Sequence, residues 1–272
     1  MLAEPAPMSS MIPWFEVPAV EILGATIELP SMLAVGGFIL SLGMSRRYAR
    51  QAGLSPRRTI DALALVMLSA LILGRLVEVV YYPEQLISDW RILLPWRGGY
   101  TSLGMFLGTA VALAGLSYAC APALRWRYLD VWVPAAALGG SVVRVGCFLG
   151  HHHAGRLTTV PLSVAYPGGA RYDLGLCEAL LLLAIFVGGS IVARRRRERP
   201  GRIAAAGIFT YALGRFIIEF LRADDLELIG RRSDPRYGGL TLVQYATATV
   251  ALVGAVWWWR KHRRAQTGAL GN

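Results

Sequence analysis

Long apolar blocks alternate along the chain with short polar breaks rich in arginine. The blocks are about 20 residues long, the length an α-helix needs to cross hydrocarbon. Seven can be placed, at approximately Val20–Met44, Ile60–Tyr82, Gly99–Ala121, Val131–Gly150, Leu174–Ala193, Ile203–Leu221 and Leu240–Trp259. The pattern predicts an all-α, polytopic membrane protein with about seven transmembrane helices, built as a single integral membrane domain over 1–272. No long linker, low-complexity segment or convincing internal repeat divides it. Composition agrees, since 55% of the 272 residues are hydrophobic and 17% are charged, fewer charges than an ordinary soluble domain carries.

The net charge of +11 would point to nucleic acid in a soluble chain. Its distribution points to membrane topology instead. Of the 28 lysines and arginines, seventeen fall in 45–58, 123–130, 194–202 and the tail from Arg260 to Arg264, all on one side of the predicted bundle. Seven (Arg91, Arg97, Arg156, Arg171, Arg231, Arg232 and Arg236) fall on the other side, and four lie within or at the ends of helices. By the positive-inside rule the N-terminus is outside and the C-terminus cytoplasmic. The outer loops are the longer ones. Residues 83–98 carry interfacial tryptophans and room for a short surface helix, 151–173 carry three histidines and two turns, and 222–239 mix acids with arginines. Met1 to Trp14 contain no Lys or Arg, so no cleaved signal peptide is expected. Cys120, Cys147 and Cys177 are odd in number and lack metal-ligand spacing, so neither a disulfide framework nor a metal site is expected.

Candidate chemistry gathers in two stretches. The first runs from Arg144 to Arg156 and contains an arginine inside an apolar block, Gly146 and Gly150, and His151, His152 and His153. A charge in hydrocarbon costs ~2.5–3.5 kcal/mol on insertion scales, so it turns to a protein interior or a wet cavity. In the second, Tyr211, Arg215, Glu219 and Arg222 fall within a sector about 80° wide on one helix. With Arg75 and Arg144 these make several buried arginines, and Glu78, Glu178 and Glu219 balance only some of them. One reading is a structural Arg–Glu ladder; the other is a cavity wall that binds an anion such as phosphate, which guanidinium holds bidentately. The adjacent histidines form a poor metal site. They read either as a wet interfacial loop or as the source of a general base at neutral pH. Cys147 reads as packing.

At these residues the chain resembles the prolipoprotein diacylglyceryl transferases of the bacterial inner membrane. Gly74, Arg75 and Leu76 are similar to that family's helix-two arginine motif, and Gly98 to Gly104 to its glycine-rich segment leading into helix three. The stretch from Arg144 to Gly150, with Gly155 and Arg156, is similar to its signature. Leu176, Cys177 and Glu178, then Tyr211 through Arg222, then Leu240 through Gln244 resemble its later motifs.

The resemblance implies transfer of the diacylglyceryl group of phosphatidylglycerol to the lipobox cysteine thiol of an exported prolipoprotein, with glycerol phosphate leaving. It implies no cofactor and no nucleic-acid partner, and an active site towards the periplasmic side of the inner membrane. Arg144 and Arg215 would bind the phosphate and neutralise the leaving group, Glu219 would orient Arg215, and Tyr211 would hydrogen-bond in the pocket. Arg75, Gly104, Gly155, Glu178 and Arg222 would complete the lipid site. Three positions depart from the family pattern: Leu103 stands where many members have histidine or tyrosine, Cys147 replaces the usual asparagine, and His152 replaces an acid. His152 is therefore the expected base. The competing function is a non-catalytic or substrate-shifted relative that binds anionic phospholipid. A transporter is disfavoured, because no repeat or matched pair of broken helices is visible.

Overall fold

The computed structural model describes residues 11–22, 25–81, 83–88, 90, 100–195, 200–225 and 235–269. Gly98, Gly99, Trp96 and residues 226–234, which carry part of the sequence expectations, lie outside that set. Among the described residues there are seven long helices, one short helix and seven short strands.

Local signals set most of the helix starts. α1 (Leu29–Gln51) has Pro30 in its first turn after an extended Glu28, where a missing N–H costs nothing. α2 (Pro56–Tyr81) is followed by the short α3 (Pro83–Ser88). At the start of α4 (Ser102–Ala119) the Thr101 hydroxyl accepts the Gly104 N–H at 3.2 Å. α5 (Pro122–Leu149) opens on a proline and contains Pro134. The Asp173 carboxylate accepts the Leu176 N–H at 3.0 Å to open α6 (Leu174–Arg195). α7 (Arg202–Glu219) is capped from another helix, for Asp130 of α5 accepts the N–H groups of Gly201 and Ala204 at 2.6 and 2.8 Å. Before α8 (Leu242–Ala269), Thr241 and Gln244 exchange side-chain and backbone hydrogen bonds in a reciprocal capping box.

Four helical segments, Leu29–Gln51, Pro56–Tyr81, Leu124–Leu149 and Leu174–Ala193, are long and apolar enough to cross a membrane. Leu103–Ala119 and Leu242–Val256 are shorter apolar helices. α7 carries three charged residues, Arg202, Arg215 and Glu219. Large apolar side chains face outward along the bundle, with Val35, Leu68 and Val253 each more than half exposed (61%, 53% and 62%). An exterior of that kind matches lipid better than water.

The structure departs from the helix expectation at both ends of the first block. Residues 20–28 are not helical: β1 (Val20–Ile22) and β2 (Ala25–Ile27) form an antiparallel hairpin, and α1 starts only at Leu29. Glu21, Thr26 and Glu28 interrupt the apolar block there, and a window of about 20 residues averages over them. α5 begins nine residues before the expected Val131, because its charged first turns look like a loop in sequence. The segment 151–173, expected as a loop with turns, contains a sheet ordered β3 (Ala154–Leu157), β5 (Gly169–Asp173), β4 (Val164–Tyr166), antiparallel throughout. Both of its edges are covered. Ile12 pairs with Val164 on one side and Arg222 with Gly155 on the other, one bridge at each edge, which blunts both ladders. β6 (Arg236–Tyr237) and β7 (Leu240–Thr241) form a small hairpin leading into α8.

Candidate active site

Where α5, α6 and α7 come together beneath the three-stranded sheet, the bundle interior is charged rather than apolar. Arg215 and Glu219 are among the largest fully buried side chains of the protein. Helix periodicity places Tyr211, Arg215 and Glu219 on one face of α7, while Arg222 follows in the turn beyond its end.

Two carboxylates organise the cluster. The Glu178 Oε2 of α6 lies 3.1 Å from Arg144 Nε and 3.7 Å from Arg215 Nε, and its Oε1 accepts the Tyr211 hydroxyl at 2.7 Å. Glu219 forms an ion pair with Arg215 and accepts Arg222 Nε at 2.6 Å and the Thr241 hydroxyl at 3.2 Å. Among the described residues, Arg144, Arg215 and Arg222 thus gather around the two carboxylates of Glu178 and Glu219. Exposure separates the arginines: the Arg215 side chain is 2% exposed and Arg144 is 20% exposed. Arg215 is locked inside, and Arg144 forms the accessible side of the cluster.

The three histidines have three different environments. His151 lies in the left-handed region (φ 51°), where α5 ends and the chain turns into the sheet. Its ring stacks on Trp14 at 4.1 Å and packs against Phe15 and Tyr166, while its Nε2 donates to the Phe15 carbonyl oxygen at 2.8 Å. His152 is exposed, its ring folded back over Gly150. His153 swings back under the sheet, and its Nε2 accepts a hydrogen bond from Arg144 Nη1 at 3.0 Å. Burial and the neighbouring Arg144, Arg222 and Arg215 guanidiniums hold the His153 imidazole well below its ordinary range, so it is neutral.

The remaining expected residues sit further out. Arg75 is buried on α2, its guanidinium 5.9 Å from the centre of the Tyr100 ring. Gly104 marks a close approach of α4 to α2, since a Cβ there would run into the Leu73 carbonyl oxygen. Gly155 does the same for the sheet: its Cβ would lie 2.7 Å from the Leu221 carbonyl oxygen. Both glycines thus hold backbones together around the cluster. Sequence reasoning passed over Thr241 and Gln244 as site residues, although the segment containing them had been noted. Their capping box turns the Thr241 hydroxyl towards Glu219. The contact of His153 with Arg144 was not expected from the sequence, where His152 stood out by its position in the family pattern.

A family model described as prolipoprotein diacylglyceryl transferase matches residues 18–260. The chain belongs to that family. Curated relatives carry the name phosphatidylglycerol–prolipoprotein diacylglyceryl transferase. One from Chromohalobacter salexigens is 32% identical over 236 residues, covering 82% of this chain and 84% of the relative. One from Geobacter sulfurreducens is 31% identical over 212 residues, covering 72% and 78%. One from Brucella anthropi is 28% identical over 235 residues, covering 80% and 79%.

Of the three positions expected to depart from the family pattern, Cys147 is the one with a contact to Arg144 among the described interactions. Cys147 is one turn along α5, with its Sγ 3.9 Å from Arg144 Nη1. Leu103 stands in the first turn of α4.

Proposed function

We propose that this chain transfers the diacylglyceryl group of phosphatidylglycerol to the lipobox cysteine thiol of an exported prolipoprotein. The observation that carries the reading is the convergence of Arg144 and Arg215 on Glu178 in the bundle interior, with Arg144 on the accessible side. In the reaction the thiolate sulfur attacks the glyceryl carbon bound to the phosphate oxygen. The C–O bond breaks as the S–C thioether forms, and glycerol phosphate departs with the electron pair. Negative charge grows on that phosphate, and preorganised guanidinium donors stabilise it in a site where water is scarce.

The roles divide by exposure and bonding. Arg144 meets the phosphate, Arg215 supplies the field behind it, and Glu219 with Arg222 and Thr241 keeps Arg215 in place. Tyr211 and Glu178 fix the approach of both arginines. Arg75, Gly104 and Gly155 line or support the lipid side. His152 takes the thiol proton in this scheme. Its neighbours are committed elsewhere: the His153 Nε2 lone pair is engaged by Arg144, and His151 Nε2 donates to a carbonyl.

The setting follows from the same reading. The chain forms one domain with seven spans in the bacterial inner membrane, the sheet and Arg144 face the periplasm, and the C-terminus is cytoplasmic. Reconstitution with phosphatidylglycerol and a lipobox peptide tests the proposal. Thioether formation is expected with the native chain and absent with Arg144→Ala. A native chain that binds phosphatidylglycerol without modifying the peptide would favour the competing reading, a lipid-binding relative whose arginines and glutamates form a ladder.

A further inference from the structure

A second concavity lies far from the arginine–glutamate cluster, at the other end of the bundle. Tyr128, on its wall, precedes Arg144 on α5 by sixteen residues, roughly 24 Å along a helix axis. The cleft measures about 390 Å³ and runs between α2, α4 and the first turns of α5. Its walls include Leu113, Leu116, Tyr128 and Trp132. The Trp132 indole N–H is already spent on the Thr59 carbonyl oxygen at 3.2 Å, and Tyr128 stacks against the Trp132 ring with centroids 5.6 Å apart. The stacked ring faces thus give the cleft an aromatic wall.

Two cations complete the lining. Arg58 is exposed in the first turn of α2, and Arg125 is tethered by a hydrogen bond from its Nε to the Cys120 carbonyl oxygen at 3.1 Å. Among the described lining residues there is no aspartate or glutamate. An apolar slot of this size accepts a hydrocarbon chain, but two guanidiniums without a lining carboxylate select for an anion at its rim.

We propose that this cleft is a second lipid site, holding an anionic glycerophospholipid. One acyl chain lies along Leu113, Leu116, Tyr128 and Trp132, and the phosphate sits at Arg58 and Arg125. A bound lipid fills the gap between α4 and α5 and ties them together. The site does not depend on the transferase reading, because it shares no residue with the Arg144 cluster and its lipid is retained rather than consumed.

The test uses the purified full-length chain in detergent, with phosphatidylglycerol and phosphatidylcholine that each carry a photoreactive acyl chain. Crosslinks are mapped by mass spectrometry. Phosphatidylglycerol is expected to label the 113–132 region strongly and phosphatidylcholine weakly. Arg58→Gln with Arg125→Gln should reduce that labelling roughly 10–30-fold, the worth of two basic contacts, while labelling elsewhere persists. Leu116→Trp, which fills the slot and keeps the charges, should reduce it as well. A monodisperse elution profile serves as the folding control for each variant. Equal labelling of 113–132 by the zwitterionic lipid, or unchanged labelling in the double glutamine variant, would overturn the proposal.

Discussion

His153 Nε2 accepts a hydrogen bond from Arg144 Nη1 at 3.0 Å, across the turn that ends α5. A neutral imidazole accepts at one nitrogen while donating at the other, so this contact makes His153 a support for Arg144. The adjacent His152 is exposed, its ring over Gly150. The two histidines should separate kinetically. His153→Ala should weaken phosphatidylglycerol binding along with turnover, and His153→Gln should restore part of both, because its amide oxygen can still accept from Arg144. His152→Ala should lower turnover by ~10²–10⁴ with little change in lipid affinity, the range for loss of a general base. Equal effects of the two alanine variants on lipid affinity would remove the division of labour.

The depressed His153 titration also predicts a pH effect. The folded chain holds the imidazole neutral while the unfolded chain protonates near 6.5. The unfolded state therefore binds the extra proton as pH falls below about 6.5. Stability from this group is complete above that value and declines as pH drops towards the folded one. In thermal unfolding, His153→Gln should flatten this slope relative to the native chain.

Arg171 and Asp225 form a bidentate pair, at 2.8 and 2.7 Å, that joins β5 to the segment after α7, and Arg171 also donates to the Gly155 carbonyl oxygen at 3.1 Å. The hydrogen bonds from Arg171 hold the Asp225 carboxyl below its ordinary value of 3.8. The stabilisation is present above pH 3.8 and is lost as pH falls through the folded value. Asp225→Asn should remove that part of the acid dependence, read as the difference between the two melting profiles. It should also quicken hydrogen exchange at the Arg156 amide, which donates to the Leu221 carbonyl oxygen.

Arg215 is buried between Glu178 and Glu219. Arg215→Ala leaves both carboxylates short of a partner, which should cost about 3–5 kcal/mol of stability as well as activity. Arg215→Lys should recover stability better than transfer, because an ammonium cannot present the planar fork. A lysine variant with native turnover would show that the fork has no catalytic role.

Gly104→Leu should destabilise α4 against α2 while the chain still inserts, since the added side chain meets the Leu73 backbone. A lowered thermal midpoint with unchanged membrane yield is the expected result.

Much of this organisation was legible in the sequence, for physical reasons. Hydrocarbon imposes a length on its helices, so six of the seven blocks were placed within a few residues apart from the early start of α5 and the long run-on of α8. The four-residue spacing of Tyr211, Arg215 and Glu219 put three polar side chains on one helix face. What stayed hidden depends on tertiary contacts. The β1–β2 hairpin directly precedes the apolar block of α1, and its strands are only three residues each. The sheet is specified by partners as distant as Ile12 and Arg222. Which histidine reaches Arg144 is decided by the left-handed turn at His151, and three identical letters carry no trace of it.

The doubly covered sheet has a consequence for how the protein is made. Its β3 edge is closed by Arg222, from a segment synthesised more than sixty residues after β3 itself. Until α7 and the turn after it have been made, Gly155 lacks its bridge to Arg222 and Glu219 is absent from the cluster. A partly synthesised chain therefore has neither a finished sheet nor a finished charge balance, and both are completed by the same few residues. Closing of the sheet edge and completion of the arginine cluster are a single late event.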